Sequence, residues 1–204
     1  MEQNVKEKNF VSAVIYIRSG EEDTDKNIEN LLKVMKEHFE HYEIIFVNDA
    51  SSDGCVDKIK KIFAKEENNG IAVRIINMSY YYGREIAMSA GVDMAIGDYV
   101  FEFDRISSIG DDIIMKAYYK CIQGTDIVSV TPKKVAGFIT KLYYKIYNSS
   151  SNIKENFLKR ELFCVVSRRT INRVKAMAKN IPYRKAMYCL LYTSPSPRDS
   201  TSSR

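Results

Sequence analysis

Residues Glu43–Gly54 read EIIFVNDASSDG. The apolar core of this stretch, Ile44 to Val47, is too short for a helix and is made of residues that pack well on a pleated surface. Glu43–Val47 is therefore expected to be a buried strand. Ser51-Ser52-Asp53-Gly54 is a run of turn formers. Beyond it Val56, Ile59, Ile62 and Phe63 recur at helical spacing, so the chain passes from strand through a polar turn into a helix. The same alternation extends both ways. Upstream, Val11–Ile17 (VSAVIYI) reads as a buried strand, followed by a helix with Ile28, Leu31, Leu32, Met35 and Phe39 inward and Thr24 and Asp25 as caps. Downstream come a strand at Val73–Met78, a helix at Arg84–Ala95 with Ile86, Ala87, Ala90 and Met94 inward, and a strand at Tyr99–Phe103. A helix at Ile113–Ile122, a strand at Ile127–Val130, a strand at Phe163–Val166 and a basic helix at Arg168–Lys179 complete the pattern. Strands alternating with helices of this length predict an α/β fold, a mostly parallel sheet with helices on both faces. Ligands of such sheets sit outside the carboxyl ends of the strands.

The bulk properties agree with one globular domain of 204 residues, 45% hydrophobic and 28% charged. The net charge of +5 hides an asymmetry. Residues 1–130 carry 15 Lys and Arg against 23 Asp and Glu, whereas residues 131–186 carry 14 basic residues against Glu155 and Glu161 alone. A basic second half implies an anionic partner, such as a phosphorylated substrate or an anionic membrane surface. Cys55, Cys121, Cys164 and Cys189 form no CxxC pair, which argues against a zinc site or a disulfide framework and for a reducing, cytoplasmic setting. No run of about 18 apolar residues occurs, so no spanning helix is expected. Phe138, Ile139, Leu142, Tyr143, Ile146 and Tyr147 share a helical face that suits either the sheet or a membrane interface. Three regions are expected: a polar extension at 1–10, a domain at 11–188 that, if the tail is an adapter, is truncated at its C-terminus, and a tail at 189–204. The tail, ending LLYTSPSPRDSTSSR, reads as a translated sequencing adapter or a disordered terminus.

Chemistry is expected where strands end. Asp49 follows the Glu43–Val47 strand and can accept a hydrogen bond from a base N–H, while the turn after it offers backbone donors. VSAVIYI, EIIFVNDASSDG and GREIAMSAGVDMAIGDYVFEFD, in this order, resemble the motifs of glycosyltransferase family 2. The nearest branch is similar to the polyprenyl-phosphate sugar transferases. The resemblance runs closely over Val11–Asp104 and more loosely to Tyr188, through FCVVSRR. It implies the GT-A fold and a hexosyltransferase, inverting in outcome. It implies a nucleotide-sugar donor, a UDP- or GDP-sugar, and as acceptor a polyprenyl phosphate or cell-envelope precursor at the cytoplasmic membrane face. By position it places Asp49, Asp53, Arg84 and Asp104 in the donor site, with Asp104 as the first acid of the DxD motif and ligand of Mg2+ or Mn2+; Tyr16 and Arg18, in the first loop, are further candidates for donor binding. Asp104 and Glu161 are the candidate catalytic carboxylates.

The chain departs from the family pattern. The DxD motif reads Asp104-Arg105-Ile106, without its second acid. The usual Pro, Tyr and Asn of the first loop are replaced by Tyr16, Arg18 and Ser19, the Arg-Asn before Gly83 by Tyr80-Tyr81, and an Asp-Gly approach by Lys159-Arg160-Glu161-Leu162. A metal held by one carboxylate must rely on donor phosphates and water, or Arg105 or Arg18 must supply charge instead. An acceptor phosphate, with a second pKa near ~6, is already ionised and needs little base catalysis, which leaves Glu161 an orienting role. Two readings stay open: an active transferase, and a catalytically degenerate domain that binds nucleotide sugar in a regulatory role. A dinucleotide-dependent dehydrogenase is disfavoured because no GxGxxG follows the first strand. His38 and His41 lack a third ligand in sequence and read as solvated. Tyr80-Tyr81-Tyr82 suits either ligand stacking or packing. No nucleic-acid motif accompanies the basic half, so no nucleic acid is expected.

Overall fold

The structure, a computed structural model, describes residues 5–19, 24–64, 71–105, 107–131, 161–177, 184–185 and 187–188. Its elements follow in chain order as β1 (Val11–Ile17), α1 (Thr24–His38), β2 (Tyr42–Asn48), α2 (Cys55–Ala64), β3 (Ala72–Asn77) and α3 (Arg84–Met94). β4 (Tyr99–Phe103), α4 (Asp111–Ile122), β5 (Ile127–Val130), β6 (Phe163–Ser167) and α5 (Arg168–Ala176) follow. The strands form one sheet in the order β3-β2-β1-β4-β6-β5. β1 to β4 are parallel, and β6 runs antiparallel to both β4 and β5. The expected mostly parallel sheet is therefore present, with one reversed strand near an edge.

Alternation along each central strand builds two cores. Val11, Ala13, Ile15 and Ile17 of β1, with Ile44, Phe46, Phe101 and Phe103, face α1, α2 and α4. Val14 and Tyr16, with Ile45, Val47 and Val100, face α3 and α5. A strand buried on both faces needs apolar residues at every position, which is why VSAVIYI shows no polar alternation apart from Ser12. On the first face Phe39, Phe101 and Tyr118 meet edge-on or stacked, and Phe103 stacks on Phe163 at 5.2 Å between ring centres.

The face of α3 differs from the expected one. Ile86 and Met94 are exposed, whereas Ala87, Met88, Gly91 and Val92 are buried. Gly91 sets this face: a Cβ there would lie 2.5 Å from Val14 Cγ1 and 2.6 Å from Val47 Cγ2. The helix approaches the sheet closest at its one residue without a side chain, and the larger apolar residues turn aside.

At the amino ends of the strands, buried Glu43 accepts from Ser12 Oγ (2.6 Å), Arg74 Nη1 (2.6 Å) and the Ile96 amide (2.8 Å). This network secures one edge of the sheet and leaves the carboxyl edge for other work. Part of the 1–10 extension joins the fold: the Glu7 amide donates to His38 O, and its carbonyl accepts from the Glu40 amide. Among the described residues no helix is long and apolar enough to cross a membrane. The amphipathic face at 138–147 and the 189–204 tail lie outside the described residues.

Candidate active site

Strand register brings the site residues to one edge. Ile17 of β1 pairs with Asn48 of β2, and Ile15 pairs with Phe103 of β4. Tyr16, Asp49 and Asp104 consequently surround the end of the central strand. The edge has two halves, one centred on Asp49 and the other on Asp104.

Asp49 is 1% exposed. Its Oδ2 accepts from the Tyr16 hydroxyl (2.9 Å) and the Gly83 amide (3.0 Å), and its Oδ1 from the Tyr82 amide (2.9 Å). The carboxylate thus ties β1, β2 and the start of α3 together. Burial first, and then the bond to Asp49, push the Tyr16 phenol well above its ordinary range, so it remains a donor. Gly83 has φ 86°, a left-handed conformation in which a side chain is strained, and that geometry turns two consecutive amides toward Asp49. Ala50, next to Asp49, also has positive φ, 55°. A non-glycine residue held there marks a loop whose shape is imposed by its surroundings.

The Ser-Ser-Asp-Gly turn is held by side chains. Asn48 Oδ1 accepts from the Ser51 amide (3.0 Å) and hydroxyl, its Nδ2 donates to Asn77 Oδ1 (2.9 Å), and Ser19 Oγ accepts from the Ser52 amide (3.0 Å). Asp53 is exposed, and its Oδ1 accepts from the Cys55 amide at 3.2 Å, so it caps the first turn of α2. Above the turn, the Arg18 guanidinium lies 4.4 Å from the centre of the Tyr81 ring and donates to its hydroxyl at 3.2 Å. Tyr80, Tyr81 and Tyr82 are 74%, 58% and 46% exposed. The tyrosine run therefore forms the rim of the site, not its core.

Asp104 is the centre of a buried ion cluster. Its Oδ1 accepts from Arg184 Nη2 (3.2 Å), and its Oδ2 accepts from Lys185 Nζ and lies 3.8 Å from Arg84 Nε. Lys185 also pairs with Glu161 Oε2 at 2.8 Å. Arg184 Nε donates to Glu102 Oε2 (2.6 Å), its amide donates to Glu85 Oε2 (3.1 Å), and the Tyr188 hydroxyl donates to Glu102 Oε1. Burial by itself would push the Asp104 carboxyl up. The Lys185, Arg184 and Arg84 charges outweigh it and hold the carboxyl below the ordinary range. Burial likewise opposes the charge on Lys185 and Arg184, but the surrounding carboxylates keep both firmly protonated.

Of the residues singled out in sequence, Tyr16 and Asp49 meet directly, as do Arg84 and Asp104. Glu161 joins Asp104 only through Lys185, and Arg18 pairs with the rim tyrosine. Glu161, ion-paired to Lys185, has its charge committed to holding that ammonium. Arg184, Lys185, Glu85, Glu102 and Tyr188 were not singled out. One signal was available: Glu102 stands within an otherwise apolar strand, YVFEF, where a buried acid demands a cation. At the C-terminal end of α1, Glu37, His38 and Asp111 bring ligand atoms within 4.8 Å of one another, and Asp111 is the neighbour that sequence spacing could not show. As arranged, the Asp104 cluster does not fit a divalent cation. Both Asp104 oxygens are already taken by Arg184 and Lys185, so a divalent ion would have to displace buried, paired cations to reach them.

Comparison with known proteins places this geometry. The chain is 27% identical over 184 residues to an uncharacterized glycosyltransferase of Synechocystis, covering 87% of this chain and 56% of that protein. It is 32% identical over 120 residues to an undecaprenyl-phosphate 4-deoxy-4-formamido-L-arabinose transferase of Proteus mirabilis, covering 59% of this chain and 36% of that one. The chain therefore spans about half or less of the length of these relatives. Among solved structures, a mannosyltransferase from Pyrobaculum calidifontis in complex with GDP-Man and Mn2+ superposes with a TM-score of 0.63 at 13% identity, over 82% of this chain and 47% of that one. A glucosyl-3-phosphoglycerate synthase from Mycobacterium tuberculosis, in complex with Mn2+, UDP-glucose and phosphoglyceric acid, superposes at 0.61 and 12% identity, over 79% and 58%. The fold is thus the expected GT-A arrangement. Residues 12–180 match the model of glycosyl transferase family 2, and the chain belongs to that family.

Proposed function

We propose that the chain is the donor-binding catalytic domain of a hexosyltransferase that moves a sugar from a UDP- or GDP-sugar onto a lipid phosphate. The observation that carries this reading is the convergence of Tyr16, Asp49, the 51–54 turn, Arg84 and Asp104 on one carboxyl edge of the sheet. Two similar structures were solved with nucleotide sugars, and one relative is named for undecaprenyl phosphate. The basic balance of residues 131–186 suits a phosphate-bearing acceptor at the cytoplasmic face of a membrane.

In the reaction, an oxygen of the acceptor phosphate forms a bond to the anomeric carbon of the sugar. The bond from that carbon to the diphosphate oxygen breaks, and the nucleoside diphosphate leaves with the electron pair. Attack opposite the leaving group inverts the anomeric centre. The acceptor is already an anion near pH 7, with a second pKa near ~6, so the step requires no strong base. The principal demand is to neutralise charge developing on the leaving diphosphate, and Arg84 beside Asp104 is placed to contribute. Arg18 and Tyr81 form the exposed rim for base and ribose, Asp49 holds buried Tyr16 and the 82–83 amides in place beneath it, and the 51–54 turn offers backbone donors. Glu161 positions Lys185.

The test is twofold. UDP and GDP are titrated calorimetrically, and labelled UDP- and GDP-sugars are incubated with a polyprenyl phosphate. Label passing into the lipid extract supports the proposal; absence of binding by either nucleotide refutes it. Tight nucleotide binding without transfer to any polyprenyl phosphate supports the degenerate reading, which the ion-pairing of Asp104 favours.

A further inference from the structure

We propose that Lys185, seated by Arg184, is a built-in cation for the donor diphosphate, so that donor binding by this chain needs no divalent metal. The inference rests on the transferase reading and specifies how its phosphate site works. Four carboxylates from separate parts of the chain, Glu85, Glu102, Asp104 and Glu161, gather around the side chains of Arg184 and Lys185, which are only 5% and 8% exposed. Burying an ammonium is costly unless it is paired and hydrogen-bonded. The gathering of charge thus locates a cation deliberately, at the carboxylate where the resembled family pattern begins its metal motif.

The chain has also lost the acid that a metal would share with Asp104, since Ile106 stands at that position. One carboxylate fewer and one ammonium more make the site poor for Mn2+ and adequate without it. Valence supports the substitution. An ammonium has three N–H donors. One donates to Asp104, and Glu161 Oε2 lies 2.8 Å from Nζ as an ion-pair partner without a hydrogen bond, which leaves N–H capacity for a phosphate oxygen. A metal ion performs the same bridging between carboxylate and phosphate. The segment is anchored as well. Arg184 and Tyr188 take the two oxygens of Glu102, a residue 1% exposed, so Lys185 is presented from a fixed footing. Arg84, engaged through Nε by both Glu85 and Asp104, adds a second positive charge beside it.

The experiment titrates UDP and GDP into the full chain in EDTA and in Mn2+, for wild type, Lys185→Met and Lys185→Arg. Uridine and guanosine serve as base-site controls, and thermal melts follow folding. For wild type, diphosphate affinity should change by less than about threefold between EDTA and Mn2+. Lys185→Met should bind diphosphate about 10- to 100-fold more weakly in EDTA, the loss of one charge-assisted bond. Mn2+ should restore part of it, because Glu161 and Asp104 Oδ2 are then released from the ammonium while Arg184 still holds Asp104 Oδ1. Lys185→Arg should keep metal-free binding, and nucleoside binding should not respond to either substitution. Should Lys185→Met melt too low to titrate, wild type and Lys185→Arg in EDTA still decide the matter. Wild-type binding abolished by EDTA, or Lys185→Met binding unchanged in EDTA, overturns the built-in cation and leaves the transferase reading intact. Absence of nucleoside diphosphate binding by wild type in both conditions overturns both.

Discussion

Replacing Asp49 by alanine removes one carboxylate and orphans three donors: the Tyr16 hydroxyl and the amides of Tyr82 and Gly83, at 2.9, 2.9 and 3.0 Å. Each buried donor left unsatisfied costs about 1–3 kcal/mol. The three costs do not add fully, because all three donors depend on one side chain and the loop can relax to admit water. A total of about 3 kcal/mol is the reasonable centre, which for a chain of this size corresponds to a fall in Tm of roughly 6–12 °C. Asp49→Asn is the more discriminating variant. Its amide oxygen can keep Tyr16 and Gly83 while its NH2 opposes the Tyr82 amide, so one bond is lost and the cost falls to about 1–3 kcal/mol. Both variants should also weaken nucleotide binding, because Tyr16 and the 82–83 loop lose their common anchor. Differential scanning fluorimetry gives the stability, and calorimetry with UDP and GDP gives the binding. If Asp49→Asn melts with wild type and binds nucleotide equally well, Asp49 is not the organising acceptor and the reasoning fails. If it melts lower but binds normally, Asp49 is structural only.

Two further outcomes are expected. Gly91→Ala should destabilise by about 1–3 kcal/mol, through overpacking against Val14 and Val47 at 2.5 and 2.6 Å; a melt equal to wild type would show that α3 shifts freely on the sheet. The Asp104 carboxyl is held below its ordinary value of 3.8 in the folded state, so its contribution to stability is complete above that value and is lost as pH falls toward the lowered one. Denaturant midpoints taken below about pH 5 should therefore fall less steeply for Asp104→Asn than for wild type, and parallel acid limbs would contradict the ion cluster.

The order and type of the elements were legible because each states itself locally. VSAVIYI, IIFV and YVFEF announce buried strands, and the periodic apolar residues of 28–39 and 113–122 announce helices whose ends lie within a residue or two of those expected. The site was legible only in part. Asp49, Arg84 and Asp104 stand immediately after strands or at a helix start, where the topology of a parallel sheet puts ligands. The inward face of α3 was not legible, because REIAMSAGVDM carries apolar residues on several sides and close approach at Gly91 selects among them.

Sequence alone determined the α/β class, the alternating order of strand and helix, the carboxyl edge as the place to look for a site, and the absence of a second DxD acid at Ile106. Only the tertiary structure decided what Asp49 and Asp104 do. Asp49 is held by three donors, one from β1 and two from a loop more than 30 positions away. Asp104 is paired with cations 80 and 81 positions distant. The physical reason is one of range. A residue's burial follows the period of its own backbone and can be read from its neighbours, whereas a carboxylate's charge partners come from whatever the fold brings within about 4 Å, and no local spacing records that contact.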